Sequence, residues 1–142
     1  MKTIIKMTKQ AIRIFTSVCL LIVASQPADA QAKPKGLPWP APASAIKVKN
    51  PVKSDPLSVK DGKTLYIKHC QSCHGDGGKG DGTKAKNLDI SCGNLSVSAV
   101  EKITDGELYW KTTEGRKPMP SFSKKLTDAE RWSIINYVRT LK

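Results

Sequence analysis

Apolar positions in the second half of the chain recur at the spacing of helix turns, and a similar polar signal introduces each run. In "SVKDGKTLYIKHC", Ser58 and Asp61 stand three apart, and Val59, Gly62, Leu65 and Tyr66 lie on adjoining turns of one face. "SAVEKI" repeats the signal with Ser98 and Glu101, and "TDGELYWKTTEG" with Thr104 and Glu107, ending at Gly115. "TDAERWSIINYVRTLK" repeats it with Thr127 and Glu130, after which Ile134, Ile135, Val138 and Leu141 follow at helical spacing. Four such starts and no sustained alternation of apolar and polar residues predict an all-α domain over residues 58–142.

The first half reads differently. Lys2, Lys6, Lys9 and Arg13 precede an apolar run from Ile14 to Ala24, and "ADA" follows at Ala28–Ala30. That order is the layout of a secretory signal peptide over residues 1–30. The run is shorter than the roughly 20 residues of an ordinary membrane-spanning helix. Retention of the segment as an anchor is the alternative. Lipidation at Cys19 is disfavoured, because Val18 stands where a small residue belongs and the apolar run continues past it. Residues 31–57 hold Pro34, Pro38, Pro40, Pro42, Pro51 and Pro56, and predict an extended arm with Trp39 and Ile46 as candidate anchors.

Charge and cysteine count sharpen this outline. The full chain carries 24 Lys and Arg against 12 Asp and Glu, a net +12. Residues 31–142 carry 20 against 11, a net +9. An exported basic protein without a nucleic-acid recognition motif points to a well-hydrated surface and to electrostatic steering toward acidic partners. With the signal removed, Cys70, Cys73 and Cys92 remain, an odd number that internal disulfides cannot absorb. Cys92 then reads as a small buried apolar side chain. The helices are short and large apolar residues few, so the core calls for a staple such as a disulfide, a metal or a bulky cofactor.

Candidate chemistry concentrates in "HCQSCHGDGGKGDG", residues 69–82. Cys70-Gln71-Ser72-Cys73-His74 has the spacing at which two thiols add to the two vinyl groups of haem and the adjacent histidine binds the iron. A thioredoxin-like dithiol needs a βαβ setting, which is not visible here. A structural zinc site needs four ligands, and one Cys-x-x-Cys pair followed by a lone cysteine is weak support. Met119 is the sole methionine after residue 30, held between Pro118 and Pro120, and is the candidate second axial ligand. His69 sits too close to the attachment loop for that role and reads as a surface or packing residue. The glycine run has no G-K-[ST] ending and too few carboxylates for a calcium loop, so it reads as a tight turn beside the haem.

On "GKTLYIKHCQSCHG", "GKGDG", "ITDGELYWKTTEG", "MPSF" and "LTDAERWSIINYVRTL", residues 58–142 resemble a class I c-type cytochrome, a small exported bacterial monohaem electron carrier. The arm with "WPAP" and "KNPV" also resembles arms that precede such domains. The resemblance implies the cytochrome c fold, about four short helices around one covalent haem c. It implies first and last helices crossing through Gly62, Tyr66 and Tyr137. It implies thioether bonds from Cys70 and Cys73 and axial ligation of the iron by His74 and Met119. One departure stands out. The family commonly places a proline after the haem loop, whose carbonyl holds the second nitrogen of the histidine. This chain has "NLDISCGNLS" there, leaving a backbone carbonyl near Ser91–Gly93 as substitute.

The function implied is single-electron transfer in or facing the periplasm. Two axial ligands leave no open site, so the chain is not expected to be an enzyme. Lys79, Lys84, Lys86, Arg116, Lys117, Lys124 and Lys125 flank the two haem-contacting loops and are candidates for guiding an acidic redox partner. Membrane association would come through partners or a retained N-terminal segment. A haem-bearing subunit of a larger oxidoreductase is the alternative, and a peroxide-reactive haem formed by loss of methionine is a third class.

Overall fold

The structure, a computed structural model, describes residues 38–142. The expected signal peptide and the first part of the proline-rich arm lie outside the described residues. The described elements run α1 (Ala43–Ile46), α2 (Pro56–His69), α3 (Gln71–His74), a 3-10 turn (Ala85–Asn87), α4 (Val97–Val100), α5 (Asp105–Glu114) and α6 (Asp128–Val138). Three helices are longer than a single turn and the others are single-turn pieces, an elaboration of the expected four.

Helix starts follow the polar signals with two corrections. Thr127 and Glu130 form a reciprocal capping box, and Thr104 accepts from the Glu107 N–H. Gly115, at φ 66°, ends α5 in the left-handed region that other residues adopt at a cost. Helix α2, however, begins two residues before Ser58. Asp55 is its cap and Ser58 the reciprocal partner, because Pro56 fits the first helical position and lacks an N–H to satisfy. In the second run Ser96, rather than Ser98, stands at the cap, and its side chain makes no capping hydrogen bond.

Helices α2 and α6 make the main helix–helix contact. Gly62 permits it: a Cβ there would lie 1.9 Å from the Ser133 carbonyl oxygen. The rings of Tyr66 and Tyr137 meet one turn on, with centroids 5.2 Å apart. The core gathers Tyr66, Val100, Leu108, Phe122, Leu126, Trp132, Ile134, Ile135, Val138 and Leu141. Helix α6 is buried on nearly every side, and several of its buried polar groups find partners. Arg131 donates to the Leu126 carbonyl and the Tyr109 hydroxyl, and the Tyr109 ring stacks on Trp132 at 4.0 Å.

The arm differs most from its extended reading. Proline density did not prevent a single helical turn at α1, since Pro42 precedes it and accepts its first hydrogen bonds. The arm packs along α5, with Ala41 buried. Asn50 donates to the Asn136 side chain, and Asn136 donates to the Val52 and Lys53 carbonyls and the Ser58 hydroxyl. Of the two expected anchors, Trp39 is half-buried while Ile46 is exposed.

Candidate haem-binding site

The Cys-x-x-Cys-His turn is positioned by the end of α2. The Cys70 N–H still bonds to the Tyr66 carbonyl, and α3 follows at once. The glycine-rich loop then laps back over α3. Gly80, Gly82 and Lys84 donate to the carbonyls of His74, Cys73 and Ser72. These bonds satisfy carbonyls that a single-turn helix leaves open. A Cβ at Gly82 would lie 2.5 Å from the carbonyl oxygens of both Gln71 and Ser72, so the loop can lie this close only without a side chain. Tyr66 ties the loop from below, its hydroxyl donating to the Gly75 carbonyl at 2.7 Å.

Met119 comes from the other side of the chain. Its loop opens at Gly115 and turns through a hydrogen bond from the Met119 N–H to the Arg116 carbonyl, 2.8 Å. The Lys117–Pro118 bond is cis. Ser121 donates to the Thr113 carbonyl and Phe122 to the Thr112 carbonyl, fastening the loop to α5.

Between these two loops lie two adjoining hollows of about 270 and about 240 Å³. Trp39, Cys70, His74, Cys92, Gly93 and Met119 line both, and Cys73 lines the first. The inner hollow is walled by Tyr66, Leu95, Val100, Leu108, Ile134 and Val138. The shape is a cradle for a large apolar group, the missing interior that the short helices call for. All four residues expected from the sequence, Cys70, Cys73, His74 and Met119, thus border one space.

The local electrostatics bear on the competing chemistries. Burial pushes the Cys70 thiol up to about 12, with Cys73 adding to the shift. A reactive dithiol needs the opposite, a thiol held low. Among the described residues no three His, Cys, Asp or Glu side chains are grouped to hold a metal ion, which leaves the zinc reading without its ligand set. Burial also lowers the His74 pKa, opposed by the Gly93 backbone. An imidazole kept neutral is the form that binds iron. Its Nδ1 is buried and faces the Gly93 backbone without a hydrogen bond of normal geometry. Gly93 falls in the stretch where a substitute for the family's proline carbonyl was expected.

One expectation needs adjusting and one wall was missed. Cys92 is half-buried on the cavity wall rather than deep in the core. His69 is half-buried, packs edge-on against Phe122 at 6.0 Å and borders the outer hollow, a packing role. Trp39 was legible as an anchor, but its place in both hollows was not, because nothing local links it to residues 80 positions away.

The family model described as cytochrome c oxidase, cbb3-type, subunit III matches residues 58–138. The cbb3-type cytochrome c oxidase subunit CcoP of Azospirillum sp. (strain B510) is 33% identical over 97 residues, 62% of this chain and 30% of that protein. The CcoP subunit of Azospirillum brasilense is 31% identical over the same extent. The chain therefore spans less than a third of the length of these curated relatives. Among solved structures, a reducing HAO-like protein complex of Kuenenia stuttgartiensis matches 73% of this chain and 51% of its own, with TM-score 0.57 and 28% identity.

Proposed function

From a chain that belongs to the cbb3-type cytochrome c oxidase subunit III family of c-type cytochrome domains, we propose a monohaem electron carrier whose haem c occupies the cavity between α3 and the Met119 loop. The observation that carries this reading is the convergence of Cys70, Cys73, His74 and Met119 on one apolar cavity. Bound haem supplies an iron that accepts and returns one electron. Cys70 and Cys73 tether it through thioethers. His74, neutral through burial, and Met119, on a loop stiffened by Pro118 and Pro120, would hold the iron. With His74 and Met119 both bound, the iron would have no open position for a substrate. The apolar walls exclude water, and a thioether ligand together with burial favours the ferrous state.

The chain acts as an exported or periplasm-facing protein, exchanging electrons with other redox proteins. Among the described residues no helix is long and apolar enough to cross a membrane. Exposed Lys79, Lys84, Lys117, Lys124 and Lys125 flank the two loops and steer the cavity mouth toward an acidic surface. A second reading, a haem-bearing subunit of a larger oxidoreductase, is favoured by one observation: the matched relatives are oxidase subunits and the matched structure is a complex. Stoichiometric co-purification with an enzyme separates it from a free shuttle.

The test is a visible spectrum with a mass of the exported protein. One covalent haem and a far-red band from sulfur ligation in the ferric state are expected. Met119→Ala removes that band and lets the ferrous protein bind carbon monoxide, while helix content by circular dichroism stays unchanged. A wild-type spectrum without the band sinks Met119 as ligand. Electron exchange with an acidic redox partner slows as salt rises; a rate independent of salt removes the steering role.

A further inference from the structure

We propose that Trp39 is a positioning residue for Met119, so that the N-terminal arm forms part of the haem crevice itself. The inference rests on the reading of Met119 as an axial ligand. The arm lies outside residues 58–138, the span shared with the family. Its residues nevertheless reach the site twice.

The first reach is through Arg116. The Arg116 guanidinium lies over the Trp39 ring, 4.8 Å from its centroid, and donates to the Pro38 carbonyl at 3.1 Å. Arg116 is also the residue whose carbonyl accepts from the Met119 N–H. The arm therefore holds the residue on which the methionine turn closes. The second reach is direct. Trp39 walls both hollows beside Met119, and its ring leans on Trp110 of α5 at 5.9 Å. The seat of the arm is close: a Cβ at Gly106 would lie 2.1 Å from the Ala45 carbonyl oxygen and 2.6 Å from that of Val48. The arm thus meets α5 backbone to backbone, so it holds Trp39 at a set height above the cavity.

The energetic consequence is a population shift. An aromatic pair and a cation–ring contact together hold the closed turn over its open alternatives roughly tenfold. Removing them raises the fraction of ferric protein with Met119 displaced by the same factor. The apparent dissociation constant of a competing ligand falls in proportion. The loss of the Trp39 wall also wets the cavity and lowers the reduction potential.

The experiment uses the full haem-loaded protein, with imidazole as competing ligand and the ferric far-red band as readout. Trp39→Ala is expected to bind imidazole about tenfold more tightly than wild type and to show a lower potential. Arg116→Lys keeps the wall and the charge but loses the flat guanidinium face, and is expected to tighten imidazole binding too. Trp39→Phe, which keeps a ring against Trp110 and Arg116, is expected to fall between wild type and Trp39→Ala. Circular dichroism separates these effects from unfolding. If Trp39→Ala fails to fold, the other two variants carry the comparison. A wild-type band with unchanged imidazole affinity in the folded variants overturns the role of Trp39 and leaves Met119 ligation standing. A wild type lacking the band overturns both.

Discussion

Replacing Gly62 by alanine probes the contact on which the placement of the cavity depends. In an exposed helix the change would stabilise by about 1 kcal/mol, from propensity alone. Here the new Cβ would lie 1.9 Å from the Ser133 carbonyl oxygen and 2.6 Å from its carbon, where ordinary contact begins near 3.4 Å. The struck atoms are backbone, so no rotamer change relieves the clash. Helices α2 and α6 must part by about 1.5 Å at the crossing. A gap of 0.5–1 Å already forfeits roughly a quarter to a half of the dispersion attraction across it. Tyr66, Ile134 and Ile135 lie beside that seam. Overpacking costs of this kind run about 1–3 kcal/mol, and the rigidity of the obstacle puts this site at the upper end. After the propensity gain, the net loss is about 2 kcal/mol. At about 4–8 °C per kcal/mol for a domain of this size, the melting temperature falls by roughly 8–16 °C. Thermal unfolding of the haem-loaded protein by circular dichroism measures it. Gly77→Ala is the control, since its Cβ would meet nothing nearer than 3.7 Å and a change within about 0.5 kcal/mol is expected. A Gly62→Ala protein as stable as wild type would refute the close approach.

Asn136 is buried and joins α6 to the arm through Asn50, Val52, Lys53 and Ser58. Asn136→Ala leaves buried partners unsatisfied and is expected to cost about 1–3 kcal/mol by denaturant unfolding, with faster proteolysis between residues 38 and 57; unchanged values on both counts would refute the linkage. Glu130 accepts from the Thr127 N–H at 2.7 Å, and that bond holds its pKa below the ordinary 4.5. Because the folded pKa is the lower one, the stabilisation is fully present above the unfolded pKa and is lost as pH falls through the folded pKa. The gap in melting temperature between wild type and Glu130→Gln is therefore expected at neutral pH and to close in acid; a gap independent of pH would show that the carboxylate is not the source. Thr127→Ala removes the other half of the box and should cost about 1 kcal/mol by denaturant unfolding.

Local rules made much of this protein legible. A helix cap needs only a side chain and an N–H within one turn, so Thr104 and Thr127 were readable from their neighbours. The Cys-x-x-Cys-His spacing falls within five residues, so Cys70, Cys73 and His74 could be proposed together from the sequence, and the structure sets all three on one hollow. Met119 could be found because no other methionine follows residue 30. Where two adjacent signals competed, the local rule alone did not choose: Asp55 with Pro56 displaced Ser58 as cap, and Ser96 displaced Ser98.

The sequence by itself determined the helical class, the Cys-x-x-Cys-His turn and the single methionine after residue 30, because each depends on residue type and short spacing. Only the tertiary structure decided that the proline-rich arm turns once, packs on α5 and brings Trp39 against Arg116 and the cavity wall. Only the tertiary structure decided that Gly93 borders the same hollows as His74. The physical reason is the same in both cases. A tryptophan among prolines has no periodicity to reveal its face, and a glycine between loops has no side chain to mark a partner. What such residues touch is set by how distant backbones close around the cavity, and that closure depends on the Gly62 crossing and the two loops together.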